Sequence, residues 1–294
     1  MANNITLAQK FVPVLDEVYK NASLTAKLDG AAELAQQGAN VNELIIPKLD
    51  MQGLGDYSRN SGYVAGDVTL TNETVKCNFD RGRMFTVDNL DNMETAGIAF
   101  GRLAGEFIRT KVVPELDAFR FATYCGITGI SKIAAGTTLA DGAAVIAALR
   151  AGTNKMDEDE VPFEDRHLFI TPTLHGMIQD LDTTKSREVL SRFADVTLVP
   201  QTRFYTAITQ YDGTTSGEEA GGYIKDATNG MDINFLIIHK PAVIQFEKHV
   251  APKIITPEQN QTADAYKFGY RNVGIADAYE NKVAGIYLHH KAKA

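Results

Sequence analysis

The chain has 294 residues, is 44% hydrophobic and 22% charged, and carries a formal net charge of -8 with a pI near 5.3. This length and composition allow one large domain or two medium ones with a sizeable core. The acidic balance excludes a protein that grips nucleic acid through a broad basic face, because phosphate contacts need lysine and arginine. Cys77 and Cys125 lie far apart without CxxC or Cys/His spacing, which excludes a disulfide framework and a zinc site.

The N-terminus has no apolar run behind a basic start, and no stretch of about 18 or more apolar residues occurs anywhere in the sequence. The sequence therefore predicts a protein made and kept in a cytoplasm. Residues 1–46 contain a predicted short helix over 7–19, followed by a stretch that Gly30 and Gly38 interrupt. We predict an arm here, which is ordered only when it lies on another surface, often that of another subunit.

Residues 43–88 alternate apolar and polar side chains with a period of two, which predicts β-strands. Glycines at positions 53, 55, 62 and 66 separate the predicted strands, so we expect a long hairpin with a turn-rich tip. A two-stranded ribbon alone is marginally stable in water, so a long exposed one implies a partner surface. The alternative is a hairpin folded back on its own domain.

Residues 93–124 carry apolar side chains at three-and-four spacing, which predicts one amphipathic helix about 50 Å long. Pro114 lies inside the pattern and should kink or split this helix. Gly97, Gly101 and Gly105 recur every fourth residue, although each glycine in a helix costs about 1 kcal/mol relative to alanine. We therefore predict a close approach along these glycines. Tight packing within the chain is the first interpretation, and a subunit contact is the alternative.

The middle of the chain alternates strands and helices. A helix is predicted over residues 141–151, with Asp141 as its cap. A strand over 167–171, a helix that begins at Pro172 and a strand over 196–199 then indicate a small α/β unit.

Turns and strands complete the chain. Residues 211–223 are predicted to form a turn-rich tip between strands. Two buried strands over 231–238 and 242–246 are predicted to pair with each other. The last predicted strands have no helices between them, so we expect an antiparallel sheet on which the long helix lies. These strands cover residues 266–271, 275–279 and 283–289.

Motifs for catalysis are missing from the sequence. No GxSxG, P-loop, GxGxxG, HExxH or paired-cysteine motif occurs, and no two histidines have the i, i+4 spacing of ligands on a helix. The acidic stretch 157–165 lacks the alternating ligands and glycine turn of a calcium loop, which favours a solvated corner. We predict no catalytic site, no cofactor and no metal, and an assembly protein rather than an enzyme. An enzyme such as a hydrolase is a competing hypothesis, which turnover by the monomer would establish.

Three segments carry residues in the order and spacing of a known family. They cover residues 161–181, 196–204 and 260–288. The matching positions are Val161, Pro162, Arg166, Thr171, Pro172, Val199, Pro200, Arg203, Ala263, Asp264, Arg271, Asp277, Gly285 and Ile286. Through them the chain resembles the major capsid proteins of tailed bacteriophages, with the Hong Kong 97 fold that encapsulin shells share.

The resemblance implies an α+β fold with an N-terminal arm, an extended β-hairpin loop, a long spine helix, a peripheral antiparallel sheet and an α/β axial domain. The implied divisions are the arm over 1–46, the extended loop over 47–90, the peripheral domain with its spine helix over 91–135, the axial domain over 136–235 and the closing strands of the peripheral domain over 236–294.

The resemblance also implies sites of contact between subunits. The extended loop would contact a neighbour through Asp56, Tyr57, Arg59, Tyr63 and Asp67. The spine helix would pack closely at Gly97, Gly101 and Gly105. The loop at the centre of each capsomer would contain Asp212, Gly213, Glu218 and Glu219.

The implied function is that of a major capsid protein, which forms hexamers and pentamers of an icosahedral shell around double-stranded DNA. The expected partners are further copies of the chain, a separate scaffolding protein, a portal protein and decoration proteins, with no membrane and no sequence-specific DNA binding. The expected location is the virion, after assembly in the cytoplasm of a bacterial host. The alternative is an encapsulin-type nanocompartment that packages an enzyme.

Two departures from the family limit this comparison. Some relatives weld their shells through a lysine in the extended loop, but residues 49–75 contain no lysine, and only Lys48 and Lys76 flank them. We therefore predict no covalent cross-link. Some relatives carry a cleaved N-terminal scaffolding segment, whereas this chain begins close to the predicted arm. A separate scaffolding protein and no proteolytic maturation are expected.

Overall fold

The computed structural model describes residues 23–30, 43–94, 98–181 and 183–293. The strands are β1 (Glu43–Met51), β2 (Val68–Lys76), β3 (Phe79–Asp88), β4 (Ser131–Lys132), β5 (Arg166–Ile170), β6 (Asp195–Leu198), β7 (Ile208–Gln210), β8 (Tyr223–Lys225), β9 (Ile233–His239), β10 (Val243–Ile255), β11 (Ala265–Ala278) and β12 (Ile286–His290). The α-helices are α1 (Asn89–Glu94), α2 (Ile98–Phe107), α3 (Val113–Gly126), α4 (Gly142–Glu158), α5 (Pro172–Leu181) and α6 (Thr184–Leu190).

The predicted hairpin is confirmed by β1 and β2, which pair antiparallel from Glu43 opposite Lys76 to Met51 opposite Val68. Its root is buried, since Val75 is 4% exposed, and the outer pair Leu49 and Leu70 are 52% and 68% exposed. The outer half therefore stands clear of the described part of the chain, and the alternative of a hairpin folded back along its whole length is wrong.

The long helix is confirmed in two α-helical parts, α2 and α3, joined by a π-helical turn at Ile108–Val112. Pro114 explains the break, because proline has no backbone N–H to donate to the carbonyl of Thr110 four residues earlier. The hydrogen-bond ladder shifts by one residue just before the proline, which is how a π turn forms. Proline is accommodated where it stands, at the start of α3.

A three-stranded sheet with the order β10-β11-β3 carries this helix, as predicted. Neighbouring strands in this sheet are antiparallel, with Phe268 opposite Phe85 and Val243 opposite Ala278. One core cluster lies between sheet and helix, and its buried members are Phe79, Ala104, Ile108, Val113, Leu116, Phe268 and Tyr270. We name this three-stranded sheet the peripheral sheet. Because β3 belongs to it, the predicted extended loop over 47–90 includes a strand of the peripheral sheet.

A five-stranded sheet with the order β4-β12-β9-β5-β6 forms the second body of the fold. Strands β5 and β6 are parallel and are connected through α5 and α6, which confirms the predicted α/β unit. Helix α4 also confirms its predicted cap, because the Asp141 carboxylate accepts a hydrogen bond from the backbone N–H of Ala144 at 2.8 Å. The core beneath α4 and α5 includes Val145, Leu149, Ile170 and Ile178.

The sheet membership of the last strands corrects two predictions. Strands β9 and β10 do not pair with each other, since β9 lies between β12 and β5 while β10 pairs with β11. The final strand, β12, joins the five-stranded sheet, so residues 236–294 serve both sheets rather than the peripheral one alone. The turns Lys240–Ala242 and Glu280–Gly285 cross between the sheets, and a Cβ on Gly285 would lie 2.6 Å from that of Ala242.

The prediction of an arm over residues 1–46 also needs correction. Residues 23–30 are a core element of this chain rather than an arm, because Leu28 is 1% exposed in the cluster that contains Phe121 and Tyr124. The predicted helix over 7–19 lies outside the described residues.

At Gly105 a Cβ would meet no atom of the other described elements within 4 Å, so close packing within that part of the chain is wrong there, and the alternative of a subunit contact stays a prediction. Gly97 lies outside the described residues, and close packing at Gly101 in α2 stays a prediction. Within the described ranges, no helix is long and apolar enough to cross a bilayer.

Candidate interaction surfaces

The outer half of the β1–β2 hairpin presents large apolar side chains to solvent. Leu54 is fully exposed and Tyr63 is 90% exposed. The other exposed apolar side chains of this hairpin are Leu49, Met51, Tyr57, Val64, Val68 and Leu70. Exposed apolar side chains in this number are typical of protein surfaces that bind another molecule.

The residues predicted to contact a neighbour all lie on this exposed hairpin, but not in one cluster. At the tip, Ser58 and Gly62 form a β-bridge, and the Tyr57 and Tyr63 rings stack edge to face with centroids 4.9 Å apart. Arg59 lies in the turn itself, and Asp56 precedes the tyrosine pair.

Asp67 lies instead at the other end of the loop, where its carbonyl accepts a hydrogen bond from the N–H of Gln52 at 3.3 Å. Contact of these residues with another chain stays a prediction.

The root of the hairpin is attached to the peripheral sheet by charge and by packing. Lys48 Nζ lies 2.7 Å from Glu280 Oε2, a contact that raises the pKa of this lysine. Burial, and then the nearby Glu280 carboxylate, raise the pKa of Glu73 on the second strand. Beside these charges, Val75 packs against Ile244, Phe246 and Ile275. The hairpin therefore projects from the sheet in a defined direction.

The loop between β7 and β8 lies against β3. Arg83 donates hydrogen bonds to the carbonyl oxygens of Glu219 at 2.8 Å and of Ala220 at 3.0 Å. Arg81 pairs with Glu115 of α3 at 2.8 Å and reaches the Gly222 carbonyl at 3.4 Å. This contact with the peripheral sheet could not be predicted from the sequence.

This loop confirms the predicted turn-rich tip and has its own internal hydrogen bonds. The Asp212 carboxylate accepts bonds from Thr215 Oγ1 at 2.6 Å and from the Thr214 and Thr215 backbone N–H groups, and these lower its pKa. Glu218 accepts from the Asp212 N–H at 3.1 Å, Glu219 accepts from Gly217 at 2.9 Å, and Gly213 has a φ of 77°. The four predicted residues thus share one loop, and its place at a capsomer centre stays a prediction.

A buried polar network, which sequence reasoning missed, joins the long helix to residues 23–30. Asp117 is 0% exposed and accepts hydrogen bonds from Ser23 Oγ and Thr25 Oγ1, both at 2.8 Å. It also accepts from the Leu24 N–H at 3.1 Å and from Arg203 Nη1 at 3.3 Å. A buried carboxylate needs this number of donors, because an uncompensated charge in the core is strongly unfavourable.

Arg120 extends the same network towards β10. It is 2% exposed, donates to Thr25 Oγ1 at 2.8 Å and pairs with Glu247 at 3.2 Å. Gln245 donates to the Thr25 carbonyl at 2.7 Å and accepts from the Tyr124 hydroxyl at 2.6 Å. In the sequence, Asp117 and Arg120 follow Val113 at i+4 and i+7, on the apolar side of the helix. This spacing was the available signal that both side chains are buried.

Groups suited to metal binding do not cluster in the described ranges, where no three His, Cys, Asp or Glu side chains could hold an ion together. Burial raises the pKa of the Cys125 thiol and, to a smaller extent, that of Cys77. Burial and the neighbouring His290 lower the pKa of His289 to about 4. These groups are therefore held in neutral forms inside the fold.

Comparison by sequence finds no relatives, since no protein-family model and no curated protein matches the chain. Comparison by structure finds proteins of similar fold. A structure from Mycobacterium phage Che8 has a TM-score of 0.60 at 12% identity, over 91% of this chain and 90% of the phage chain. The capsid of cyanophage P-SCSP1u has a TM-score of 0.54 at 12% identity, over 86% and 84%.

A third match is a virus-like particle from Pyrococcus furiosus, with a TM-score of 0.56 at 9% identity over 95% of this chain and 99% of the other. These matches extend over nearly the full length of both partners. The chain therefore has the α+β fold of phage capsid structures, which confirms at the level of fold the resemblance seen in its sequence.

Proposed function

We propose that the chain is the shell-forming subunit of a bacteriophage capsid, which assembles into hexamers and pentamers around double-stranded DNA. The observation that carries this proposal is the β1–β2 hairpin, whose apolar outer half is not covered by the described part of the chain. Its root is attached firmly, so the exposed part can reach a neighbouring subunit in a fixed direction. The capsid fold supports the same role.

In this proposal the partners are further copies of the chain, with portal and scaffolding proteins at particular stages. The role is structural rather than catalytic. The net charge of -8 suits the wall of a container, because an acidic surface does not hold DNA tightly. The virion is the proposed location, after assembly in the host cytoplasm.

A second candidate is a nanocompartment shell that encloses a protein cargo. The match to the Pyrococcus furiosus particle, which covers nearly all of both chains, supports this second candidate. The two candidates differ in what the particle contains. Large heads filled with DNA support the capsid proposal, whereas small shells that are empty or loaded with an enzyme support the alternative.

Electron microscopy of the expressed protein, with and without the hairpin tip, tests the proposal. The full chain should form closed shells or rings of five and six subunits. Deletion of residues 53–66 should leave a folded subunit that forms no stable shells, because the lost contacts lie between chains. Normal particles from the deletion variant, or a full chain that stays monomeric at every concentration, would contradict the proposal.

A further inference from the structure

The β1–β2 hairpin has one edge that proline blocks. Pro47 lies on β1 opposite Asn72. Proline has no backbone N–H, so in a two-stranded ladder it stands where its nitrogen points away from the partner strand. The hydrogen bond from the Gln52 N–H to the Asp67 carbonyl fixes the same alternation, because these two residues exchange bonds across the hairpin. The outer edge of β1 therefore lacks a donor at Pro47.

The outer edge of β2 contains no proline and is open. Because the Asp67 carbonyl points inward, the N–H and C=O groups of Val68, Leu70 and Asn72 point outward. These outward groups have no hydrogen-bond partner among the described residues. The side chains of Val68 and Leu70 are each 68% exposed. A strand edge of this kind is a template for pairing with another strand.

The peripheral sheet also has one blocked edge, on β10. Pro252 stands opposite Tyr270 on β11, so its nitrogen faces outward without a proton to donate. Further along the same strand, the Gln245 carbonyl already accepts a hydrogen bond from the Gly30 N–H at 2.8 Å. Strand β10 is therefore a poor template for another chain.

The other edge of the peripheral sheet, on β3, is open. The Asn89 N–H binds the Asp264 carbonyl at 3.0 Å in line with the β3–β11 ladder, so the outward main-chain groups belong to Gly82, Met84 and Thr86. They have no hydrogen-bond partner in the described ranges. The β7–β8 loop reaches β3 through arginine side chains and leaves these main-chain groups accessible. Met84 is 53% exposed.

The two open edges are held apart within one chain. Strands β2 and β3 belong to different sheets, although only residues 77 and 78 separate them in sequence. The root of the hairpin is fixed elsewhere, by the Lys48–Glu280 ion pair and by the packing of Val75 on Ile244. Each chain therefore presents one open edge on its hairpin and another on its body, which is the arrangement that lets identical chains join head to tail.

We propose that the β2 edge of one copy pairs antiparallel with the β3 edge of a second copy, which extends the peripheral sheet by two strands. This inference rests on the proposed shell-forming function and names the surface that receives the hairpin. With Leu70 opposite Met84, two exposed apolar side chains become neighbours. The same register brings Glu73 opposite Arg81 and diagonal to Arg83, so that opposite charges meet. Three outward residues on each edge exchange about six main-chain hydrogen bonds.

Disulfide formation in assembled shells tests this pairing. One chain carries Leu70→Cys and another carries Met84→Cys, both with Cys77→Ser, so a bond between these positions can form only between chains. The two chains are assembled together, oxidised and digested. Mass spectrometry should find the peptide that joins positions 70 and 84, since directly opposite residues have Cβ atoms about 5 Å apart.

Leu49→Cys in place of Leu70→Cys is the matched control. Leu49 lies opposite Leu70 on β1 and is similarly exposed, but it is one strand further from the second copy. It should give at least about tenfold less bonded product with Met84→Cys, because disulfides do not bridge Cα atoms more than about 7 Å apart. Shells without the 70–84 bond, or equal yields from the control, would overturn the pairing while the shell-forming function stands. A chain that forms no shells contradicts both.

A proline on the open edge gives a second test. Asn72→Pro removes an outward N–H and leaves the ladder with β1 intact, as Pro47 does on the opposite strand. It should raise the protein concentration needed for assembly about tenfold, since each contact loses a main-chain hydrogen bond and meets the proline ring. Asn72→Ala keeps the N–H and should assemble like the wild type, and circular dichroism checks the folding of both variants. Equal assembly of two folded variants would overturn the pairing.

Discussion

Asp117 of the long helix and Arg203 of the turn after β6 are joined by a hydrogen-bonded ion pair of 3.3 Å. The carboxylate is fully buried, and it also binds the segment that begins at Ser23. One side chain therefore connects three parts of the fold that are distant in sequence.

Asp117→Ala should destabilise the subunit by about 3 kcal/mol, because the buried donors of Thr25 and the Arg203 guanidinium lose their acceptor. Urea unfolding measures the change. Asp180→Ala on the exposed face of α5 is the control, and its effect should stay within about 0.5 kcal/mol. Similar unfolding midpoints for both variants would show that the network contributes little.

Leu54→Ser/Tyr63→Ser should prevent or weaken shell formation without lowering the melting temperature, because both side chains are exposed in the single subunit. Light scattering and electron microscopy measure assembly, and circular dichroism measures unfolding. Phe163→Ser is the matched control, since Phe163 is 71% exposed in the acidic corner. Wild-type yields of shells from the double variant would argue against the hairpin as an assembly contact.

Acid should destabilise the fold through His289. Its ring stacks on Phe235 at 4.8 Å, and its pKa in the folded state is about 4, against 6.5 in its ordinary state. Between these values the unfolded chain binds the proton and the folded chain does not, so this contribution is complete above pH 6.5 and is lost as pH falls towards 4. His289→Gln removes the titration, so the fall in melting temperature over this range should be smaller than in the wild type. An equal fall in both would contradict this role.

Arg83→Ala should loosen the β7–β8 loop from β3 while changing global stability by only about 1 kcal/mol, the usual value of a surface hydrogen-bond pair. Hydrogen exchange should become faster at the Tyr211 N–H, which bonds the Gly222 carbonyl at 2.9 Å. Arg109→Ala removes an exposed arginine of the helix and serves as the control. Unchanged exchange at Tyr211 would mean that the loop holds its position without Arg83.

Gly285→Ala should cost about 1 to 3 kcal/mol, because the new methyl group overlaps Ala242 where the two crossing turns meet. Gly126→Ala makes the same change where a Cβ would meet no atom of the described residues outside its own helix within 4 Å, and it should be neutral or slightly stabilising. Thermal unfolding of the two variants measures the difference. A Gly285→Ala chain as stable as the wild type would show that the turns can separate without cost.

Local pattern was sufficient to predict most of the individual elements. The period of two predicted β1 to β3, the Asp141 cap predicted the start of α4, and Pro114 predicted the break in the long helix. Each of these depends on interactions within a few residues, such as a capping bond or a missing N–H. The exposed hairpin also followed from its pattern, because a ribbon of this length has no second layer of its own.

The sheet to which each strand belongs was decided by the tertiary structure alone. A buried strand has the same apolar pattern in either sheet, so β9, β10 and β12 could not be assigned from sequence. The close approach of Gly285 and Ala242 lets the chain cross between the sheets there. In the same way, the partners of Asp117 were decided by the fold, which brings Thr25 and Arg203 to it, since hydrogen bonds between distant segments have no local signal.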